Sequence, residues 1–216
     1  MKILIVSDEE NRGLWDYYTP GKLSKYDLIL SCGDLKAEYL SFLVTMARCP
    51  LLYVHGNHDE YYAVKPPEGC DCIDGAIVEY NGVRFLGLGG CKRYRPGPHQ
   101  YTDRQMQRRI SRLKWKLRRC GGVNVIVSHA APEGLGDRED PAHQGFASMR
   151  KLLKDYPPEY WLFGHVHLQN WERRVRVHQG TTLINCCGTY ELELPEGEAP
   201  KNRGKKLIWR TKKPVE

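Results

Sequence analysis

The sequence contains no apolar run of the roughly 18 to 20 residues that a membrane-spanning helix requires, although 41% of its 216 residues are hydrophobic. It also has no internal repeat and no low-complexity segment, so collagen-like and disordered chains are excluded. The first seven residues resemble a strand and lack the apolar core of a signal peptide. We therefore expect a cytoplasmic globular protein with no membrane partner, whose oligomeric state the sequence leaves open.

Cysteine is plentiful, but its pattern lacks the features of a disulfide framework or a zinc ribbon. The eight cysteines lie in a chain that is neither short nor visibly secreted, so we expect reduced thiols. Cys70 and Cys72 are separated by one residue rather than two, and no second pair follows at such spacing, so a structural zinc there is the weaker alternative. We interpret the adjacent Cys186 and Cys187 as opposite faces of a strand end.

The net charge of +7 is unevenly distributed along the chain. Residues 101–119 contain eight basic residues and one acid, residues 201–216 contain seven and one, and the remainder has a net charge of −6. The segment 101–119 has two interpretations, a solvated helix face or contact with an anion or nucleic acid. The first is favoured because its arginines lack aromatic interleaving. The sequence thus predicts a domain over residues 1–194, which is acidic outside the segment 101–119, and a basic extension over residues 195–216.

Short runs of Val, Ile and Leu alternate with helix-length polar segments, which is typical of an α/β protein. Asn81-Gly82 predicts a hairpin, because both central residues of a type I′ turn need a positive φ. Helices are predicted over residues 101–119, where Thr102 and Gln105 form a capping box, and over residues 145–154. The predicted strands are residues 2–7, 27–31, 51–55, 76–80, 83–87, 123–128, 160–163, 173–178 and 181–186.

Five predicted strands are each followed by a side chain that can bind a metal ion. Ligands bind at the carboxyl ends of the strands in open α/β sheets. A single Asp or His at such a place is often only a turn residue, but five are hard to explain as caps. Carboxylates and imidazoles together suit Mn²⁺, Fe²⁺ or Zn²⁺, and a bridging carboxylate would hold two ions about 3.5 to 4 Å apart. The side chains are Asp8, Asp34, Asn57-His58, His129, and His165 with His167.

These residues resemble the ordered motifs of the calcineurin-like metallophosphoesterase family, which are D-x-H, G-D, G-N-H-D/E, a strand-end H and G-H-x-H. The resemblance covers residues 1 to about 190 and implies a four-layer αββα sandwich with two mixed β-sheets and two divalent metal ions. The matching positions are Asp8-Glu9-Glu10, Gly33-Asp34, Gly56-Asn57-His58-Asp59, His129 and Gly164-His165-Val166-His167.

The resemblance also implies a role for each matching residue. Asp34 would bridge the two ions, with Asp8 and His167 completing one metal position. The other position would be completed by Asn57, His129 and His165. His58, oriented by Asp59, would stabilise the transition state or protonate the leaving oxygen.

Glu10 stands where the family has the histidine of D-x-H. If Glu10 binds the first ion through oxygen, three carboxylates and a hydroxide neutralise the two dications, and a hard ion such as Mn²⁺ is favoured over Fe²⁺, Zn²⁺ or Ni²⁺. Alternatively, Glu10 turns away and the first ion binds weakly. Both interpretations are open at this point.

The sequence predicts a metal-dependent phosphohydrolase, and a phosphodiester or nucleotide substrate is preferred to a phosphoprotein. Besides Asn57, the candidate substrate contacts are Arg12, Arg93 and His143, although exposed loop cations are usually only solvated. Arg93 shares the loop of residues 90–99 with Lys92, Arg95 and His99. The alternative functions are a scaffold of the same fold with weakened catalysis, and a nucleic-acid-binding protein.

Overall fold

The computed structural model describes residues 1–169 and 172–194, so the predicted basic extension lies outside the described residues. The described strands and α-helices are, in chain order, β1 (Lys2–Ser7), β2 (Leu28–Ser31), α1 (Ala37–Ala47), β3 (Leu51–Tyr53), β4 (Asp71–Cys72), β5 (Ile77–Tyr80), β6 (Val83–Leu88), β7 (Cys91–Lys92), β8 (Gln100–Tyr101), α2 (Asp103–Cys120), β9 (Val125–Ser128), α3 (Ala147–Asp155), β10 (Tyr160–Phe163), β11 (Val175–His178), β12 (Thr181–Asn185) and β13 (Gly188–Glu193).

Two mixed sheets form the centre of the molecule. The first has the order β13-β1-β2-β3-β4, in which β13 is an antiparallel edge strand and the other strands are parallel. The second has the order β11-β12-β10-β9-β6-β5, with antiparallel strands at both edges and four parallel strands between them. In each sheet, the parallel strands therefore end at one common edge.

Successive residues of the central strands alternate between separate hydrophobic cores. In β1, Ile3 and Ile5 pack between the two sheets, whereas Leu4 and Val6 pack with residues of α1. In β10, Leu162 lies between the sheets, and its neighbours pack with residues of α2 and α3. The layers are therefore α1, the first sheet, the second sheet, and α2 with α3. This arrangement confirms the predicted αββα sandwich.

Several local predictions are also confirmed. The side chain of Thr102 accepts a hydrogen bond from the Gln105 amide in a complete capping box, and α2 ends at Gly121 with φ 74°. Asn81 and Gly82 have φ values of 47° and 78° in the hairpin between β5 and β6. All eight cysteines are free thiols. Among the described residues, no helix is both long enough and apolar enough to span a membrane.

Arg109 anchors α2 to the loops around the second sheet. Its guanidinium pairs with the carboxylate of Asp74 and donates a 2.8 Å hydrogen bond to the carbonyl oxygen of Gly89. The same group lies over the ring of Tyr101, 4.3 Å from its centroid. Because the side chains of Arg109 and Asp74 are only 17% and 11% exposed, removal of one would leave the other charge largely buried.

We expect Arg109→Ala to lower the free energy of unfolding by roughly 3 kcal/mol, because Asp74 would lose its counter-charge in a buried position. Urea denaturation measures the change. Arg108→Ala is the matched control, since Arg108 is exposed on the same helix, and it should stay within about 0.5 kcal/mol of the wild type. Equal stability of the two variants would contradict this role of the ion pair.

Candidate metal centre

The parallel strands of both sheets bring their following residues together at one edge of the sandwich. Asp34 and Asn57 follow strands of the first sheet, while His129 and His165 follow neighbouring strands of the second. The Nε2 atom of His129 lies 3.3 Å from an oxygen of Asp34 and 3.0 Å from the amide oxygen of Asn57. Ligand atoms of Asp34, His129 and His165 all lie within 4.8 Å of one another. We name Asp34, Asn57, His129 and His165 the Asp34 cluster.

Three side chains at this edge stand on residues with left-handed backbone conformations. The φ values are 62° at Asp8, 57° at Asp34 and 67° at His165, a region that costs a non-glycine residue about 1 kcal/mol or more. Hydrogen bonds from the three backbone amides hold these turns, including 3.0 Å bonds from His165 to the carboxylate of Asp8. Such strain is concentrated at functional sites.

Glycines let the backbone approach the carboxylates closely. A Cβ atom at Gly56 would lie 1.9 Å from an oxygen of Asp34, and one at Gly164 would lie 2.4 Å from an oxygen of Asp8. Either atom would displace a carboxylate, because real Cβ atoms do not approach within 3.0 Å. The glycines of the G-N-H-D and G-H-x-H motifs are therefore required by the packing of this edge.

Each histidine of the Asp34 cluster has one ring nitrogen bound to a backbone carbonyl oxygen. Nδ1 of His129 lies 2.8 Å from the carbonyl oxygen of Cys32, and Nε2 of His165 lies 2.7 Å from that of Ala142. A carbonyl oxygen only accepts, so each of these nitrogens donates and the opposite ring nitrogen is left for the cluster. Two imidazoles with carboxylate and amide oxygens fit Mn²⁺, Fe²⁺, Zn²⁺ or Ni²⁺.

The electrostatics of the cluster favour a cation. Burial opposes charge on His129, but the carboxylates of Asp34 and Asp8 raise its pKa to about 9. Burial by itself raises the pKa of Asp34, yet His129 lowers it to about 2. Burial and the positive His129 together lower the pKa of His165 to about 3. A single positive charge, held here as the proton of His129, is therefore stabilised between the carboxylates.

The structure separates the residues predicted to bind the first ion, which are Asp8, Asp34 and His167 with Glu10. The side chains of Asp8, Glu10 and Asp34 line one open cavity of about 490 Å³, and Glu10 Oε1 lies 3.7 Å from Lys36 Nζ. His167 Nδ1 instead lies 2.9 Å from Glu9 Oε1 and 3.6 Å from Cys187 Sγ. Glu10 thus faces the cavity beside a lysine, and the contacts of His167 are with other residues.

Sequence reasoning missed Glu9 and Cys187, although a signal for Cys187 was present. Cys187 follows the predicted strand 181–186, so it stands at a sixth strand end where the same rule applies. Cys186 packs in the core between the sheets, whereas Cys187 faces His167. Burial, together with the carboxylates of Asp8 and Glu9, raises the pKa of Cys187 to about 12.

Asp59 does not orient His58 as the resemblance implied. Its Oδ2 accepts hydrogen bonds from the amides of Gly56 at 2.7 Å and Asp34 at 3.0 Å. Asp59 is buried at the start of a 3₁₀ turn, and its carboxylate holds the backbone turns at Gly56 and Asp34. Burial raises its pKa to about 6. The partner of His58 Nδ1 is Arg95, whose Nη2 lies 3.4 Å away.

The predicted substrate contacts lie at varying places around the cluster. Arg12 pairs with Asp16 at 2.9 Å, and Arg93 donates to Gln100 and Gln105, so both guanidinium groups are engaged within their own segments. The ring of His143 lies 5.1 Å from that of His165, centroid to centroid. Tyr94 and Arg95 reach Asn57 and His58 instead. The chain bends between Tyr94 and Gly97, so strand periodicity could not select these residues.

Another group of ligand-type side chains lies outside the cluster and is already engaged. His55, Asp74 and His99 have ligand atoms within 4.8 Å of one another, and the two imidazole rings stack at 4.3 Å. The carboxylate of Asp74 pairs with Arg109 and accepts from the Gly89 amide at 2.6 Å. An ion here would compete with a buried guanidinium, so the group is explained as part of the anchor of α2.

Comparisons with known proteins identify the family and the fold. The family model for the calcineurin-like phosphoesterase superfamily domain matches residues 1–193. Uncharacterized protein MJ1162 of Methanocaldococcus jannaschii is 23% identical over 172 residues, which cover 73% of this chain and 75% of that protein. A crystal structure of TT1561 of Thermus thermophilus superposes with a TM-score of 0.57 and 18% identity over 87% of this chain and 89% of its own. Another crystal structure superposes with a TM-score of 0.64 and 17% identity over 88% of this chain and 94% of its own. These structural similarities show the fold alone.

We expect Gly56→Ala to weaken metal binding at least 10-fold, because the new Cβ would displace the Asp34 carboxylate from the cluster. Calorimetric titration with Mn²⁺ measures the affinity, and circular dichroism checks that the variant is folded. Gly97→Ala is the control, since its Cβ would only meet the Gln100 side chain at 3.4 Å. Unchanged affinity in folded Gly56→Ala would count against the Asp34 cluster as the metal site.

Proposed function

Because the chain belongs to the calcineurin-like phosphoesterase superfamily, we propose that it is a metal-dependent phosphohydrolase that cleaves a phosphodiester, in a nucleotide or another small phosphoester. The supporting observation is the Asp34 cluster, in which each histidine has one ring nitrogen tied to a backbone carbonyl and the other left for a metal ion.

The proposed cofactor is a pair of divalent ions, with Asp34 as the shared ligand. Mn²⁺ is proposed because the carboxylate of Glu10 lines the cavity with those of Asp8 and Asp34 and adds a hard oxygen ligand, and Fe²⁺, Zn²⁺ and Ni²⁺ are the alternatives. When bound, two such ions would supply a hydroxide near neutral pH and neutralise charge on the phosphoryl oxygens. Asp59 fixes the ligand geometry by holding the backbone of Asp34 and Gly56.

His58 is proposed as the group that stabilises the transition state through a hydrogen bond from Nε2 to a substrate oxygen. An arginine only donates, so the contact from Arg95 makes Nδ1 of His58 the acceptor and places the proton on Nε2. Nε2 is the atom left free to donate to a substrate oxygen. Asn57 turns its amide oxygen to His129 and its Nδ2 to the hydroxyl of Tyr94 at 3.4 Å. Its amide group therefore lies between the proposed metal ligands and the loop of residues 90–99.

The carboxylates of the cavity offset the charge of the proposed ions, which favours a diester over a monoester. The cavity is lined by Lys36 and by the carboxylates of Asp8, Glu10, Asp34 and Glu38. A diester has one negative charge, whereas a phosphomonoester has close to two near neutral pH, so the carboxylates repel it less. Tyr94 and Tyr61 are 37% and 59% exposed and offer aromatic faces near the site. A nucleobase or another flat group could stack on such faces.

We expect the wild type to hydrolyse a chromogenic phosphodiester faster than the matching monoester, with Mn²⁺ the most effective of Mn²⁺, Fe²⁺, Ni²⁺, Zn²⁺ and Mg²⁺. Asp34→Asn should reduce turnover roughly 100-fold or more, because a metal ligand loses its charge. Asp16→Asn, a surface change in the contact with Arg12, should leave the rate unchanged. Persistence of turnover in Asp34→Asn would place the activity elsewhere.

We expect Arg95→Ala to lower kcat/KM about 10-fold, because His58 would lose the donor that fixes its protonated nitrogen. Lys92→Ala is the matched control, since it also removes one positive charge from the loop of residues 90–99. Steady-state kinetics on the same chromogenic diester compare the variants. Equal losses in the two variants would indicate a general charge effect of the loop and contradict a specific role of Arg95.

The two alternative functions give different results in the same experiments. Absence of turnover with every metal would favour a scaffold of the same fold. A nucleic-acid-binding function would appear as DNA or RNA affinity that falls steeply with salt. The exposed face of α2 has one feature that favours contact with a base, because Trp115 is 62% exposed and lies 5.0 Å from the Arg119 guanidinium.

A further inference from the structure

Glu9, His167 and Cys187 form a compact group beside the Asp34 cluster, here named the Cys187 group. The three residues follow β1, β10 and β12 respectively, so different strands bring them together. His167 Nδ1 lies 2.9 Å from Glu9 Oε1 and 3.6 Å from Cys187 Sγ, and the sulfur lies 3.9 Å from Glu9 Oε1. A carboxylate, an imidazole and a thiol thus face one point.

The distances within this group suit one tetrahedral ion. Zinc binds nitrogen and oxygen at about 2.0 to 2.1 Å and sulfur at about 2.3 Å, so neighbouring ligand atoms lie roughly 3.3 to 3.7 Å apart. The two sulfur distances, 3.6 and 3.9 Å, are close to this range. The nitrogen–oxygen distance of 2.9 Å is a hydrogen bond, and it would widen by about 0.4 Å when an ion replaces the proton.

The backbone directs Glu9, rather than Glu10, to this group. The left-handed turn at Asp8 sends the following residue toward β13, where a Cβ atom on Gly188 would lie 4.0 Å from Glu9 Oε2. Glu10 lies on the cavity side, with its carboxylate 3.7 Å from Lys36. The two adjacent glutamates therefore belong to different surroundings, and Glu9 is the one beside His167.

The exposure of the group leaves a fourth position open. Cys187 is only 6% exposed, whereas the side chains of Glu9 and His167 are 62% and 58% exposed. Three protein ligands with one open side are the arrangement of zinc sites that bind water or substrate, while structural sites are closed by four protein ligands.

We propose that the Cys187 group is a thiolate-containing site for Zn²⁺, distinct in its ligands from the Asp34 cluster. A sulfur and a carboxylate face Nδ1 of His167, whereas Glu10, which stands where the family has an imidazole, lies on the cavity side. One thiolate and one carboxylate neutralise a divalent ion, and the soft sulfur selects Zn²⁺ over Mn²⁺ and Mg²⁺. The inference goes beyond the proposed function, whose named ligands are the residues of the Asp34 cluster.

Titration of the full-length, reduced protein with Co²⁺, a spectroscopic substitute for Zn²⁺, tests the proposal without any activity measurement. The wild type should develop a near-ultraviolet band from sulfur-to-cobalt charge transfer, and Zn²⁺ should abolish it by displacement. Cys187→Ser should lose the band and about one equivalent of bound zinc by elemental analysis. Cys49→Ser, which alters a thiol at the far end of α1, should retain both.

Two results would overturn the proposal. One is a saturated wild-type protein without the charge-transfer band, and the other is a band that persists in Cys187→Ser. Glu9→Gln provides a second variant if Cys187→Ser does not fold. It should weaken the affinity of the protein for Co²⁺, measured from the charge-transfer band, at least 10-fold. Asp34→Asn should keep the band while it loses hydrolysis, so failure of this site and failure of the proposed phosphohydrolase are distinguished.

Discussion

The close approach of the two sheets at their carboxyl edges is the constraint on which the site depends. The ring of His129, at the end of a strand in the second sheet, donates to the carbonyl oxygen of Cys32 at the end of a strand in the first. Gly164 of the second sheet lies so close to Asp8 of the first that no Cβ would fit between them. Side chains from separate sheets therefore converge because the backbones approach closely at the strand ends and no side chain lies between them.

Much of this arrangement follows from the sequence, because strand ends are simple to recognise. Short Val, Ile and Leu runs predict the strands, and the residue after each run predicts the ligands. The helix α1 was missed because it is nearly all apolar, lacks a side-chain cap and ends at Arg48 in place of glycine. Strand β13 was missed because its partner β1 lies at the other end of the chain, where local patterns give no information on pairing.

The site residues show the same division between local and long-range information. The residues of the Asp34 cluster are encoded by motifs, whereas Arg95 and Glu9 are placed by backbone turns that have no sequence period. The motif assigned Asp59 to His58, yet burial directs its carboxylate to backbone amides. Adjacent residues in such loops contact different neighbours, so the role of each residue there depends on the fold.

Anomalous X-ray scattering from crystals of the Mn²⁺-loaded protein tests the central claim most directly, because it locates the ion without reference to activity. The account predicts a manganese peak within about 2.0 to 2.3 Å of the ligand atoms of Asp34, His129 and His165. A peak at His55, Asp74 and His99 instead, with none at the Asp34 cluster, would contradict the claim that the converging strand ends form the metal site.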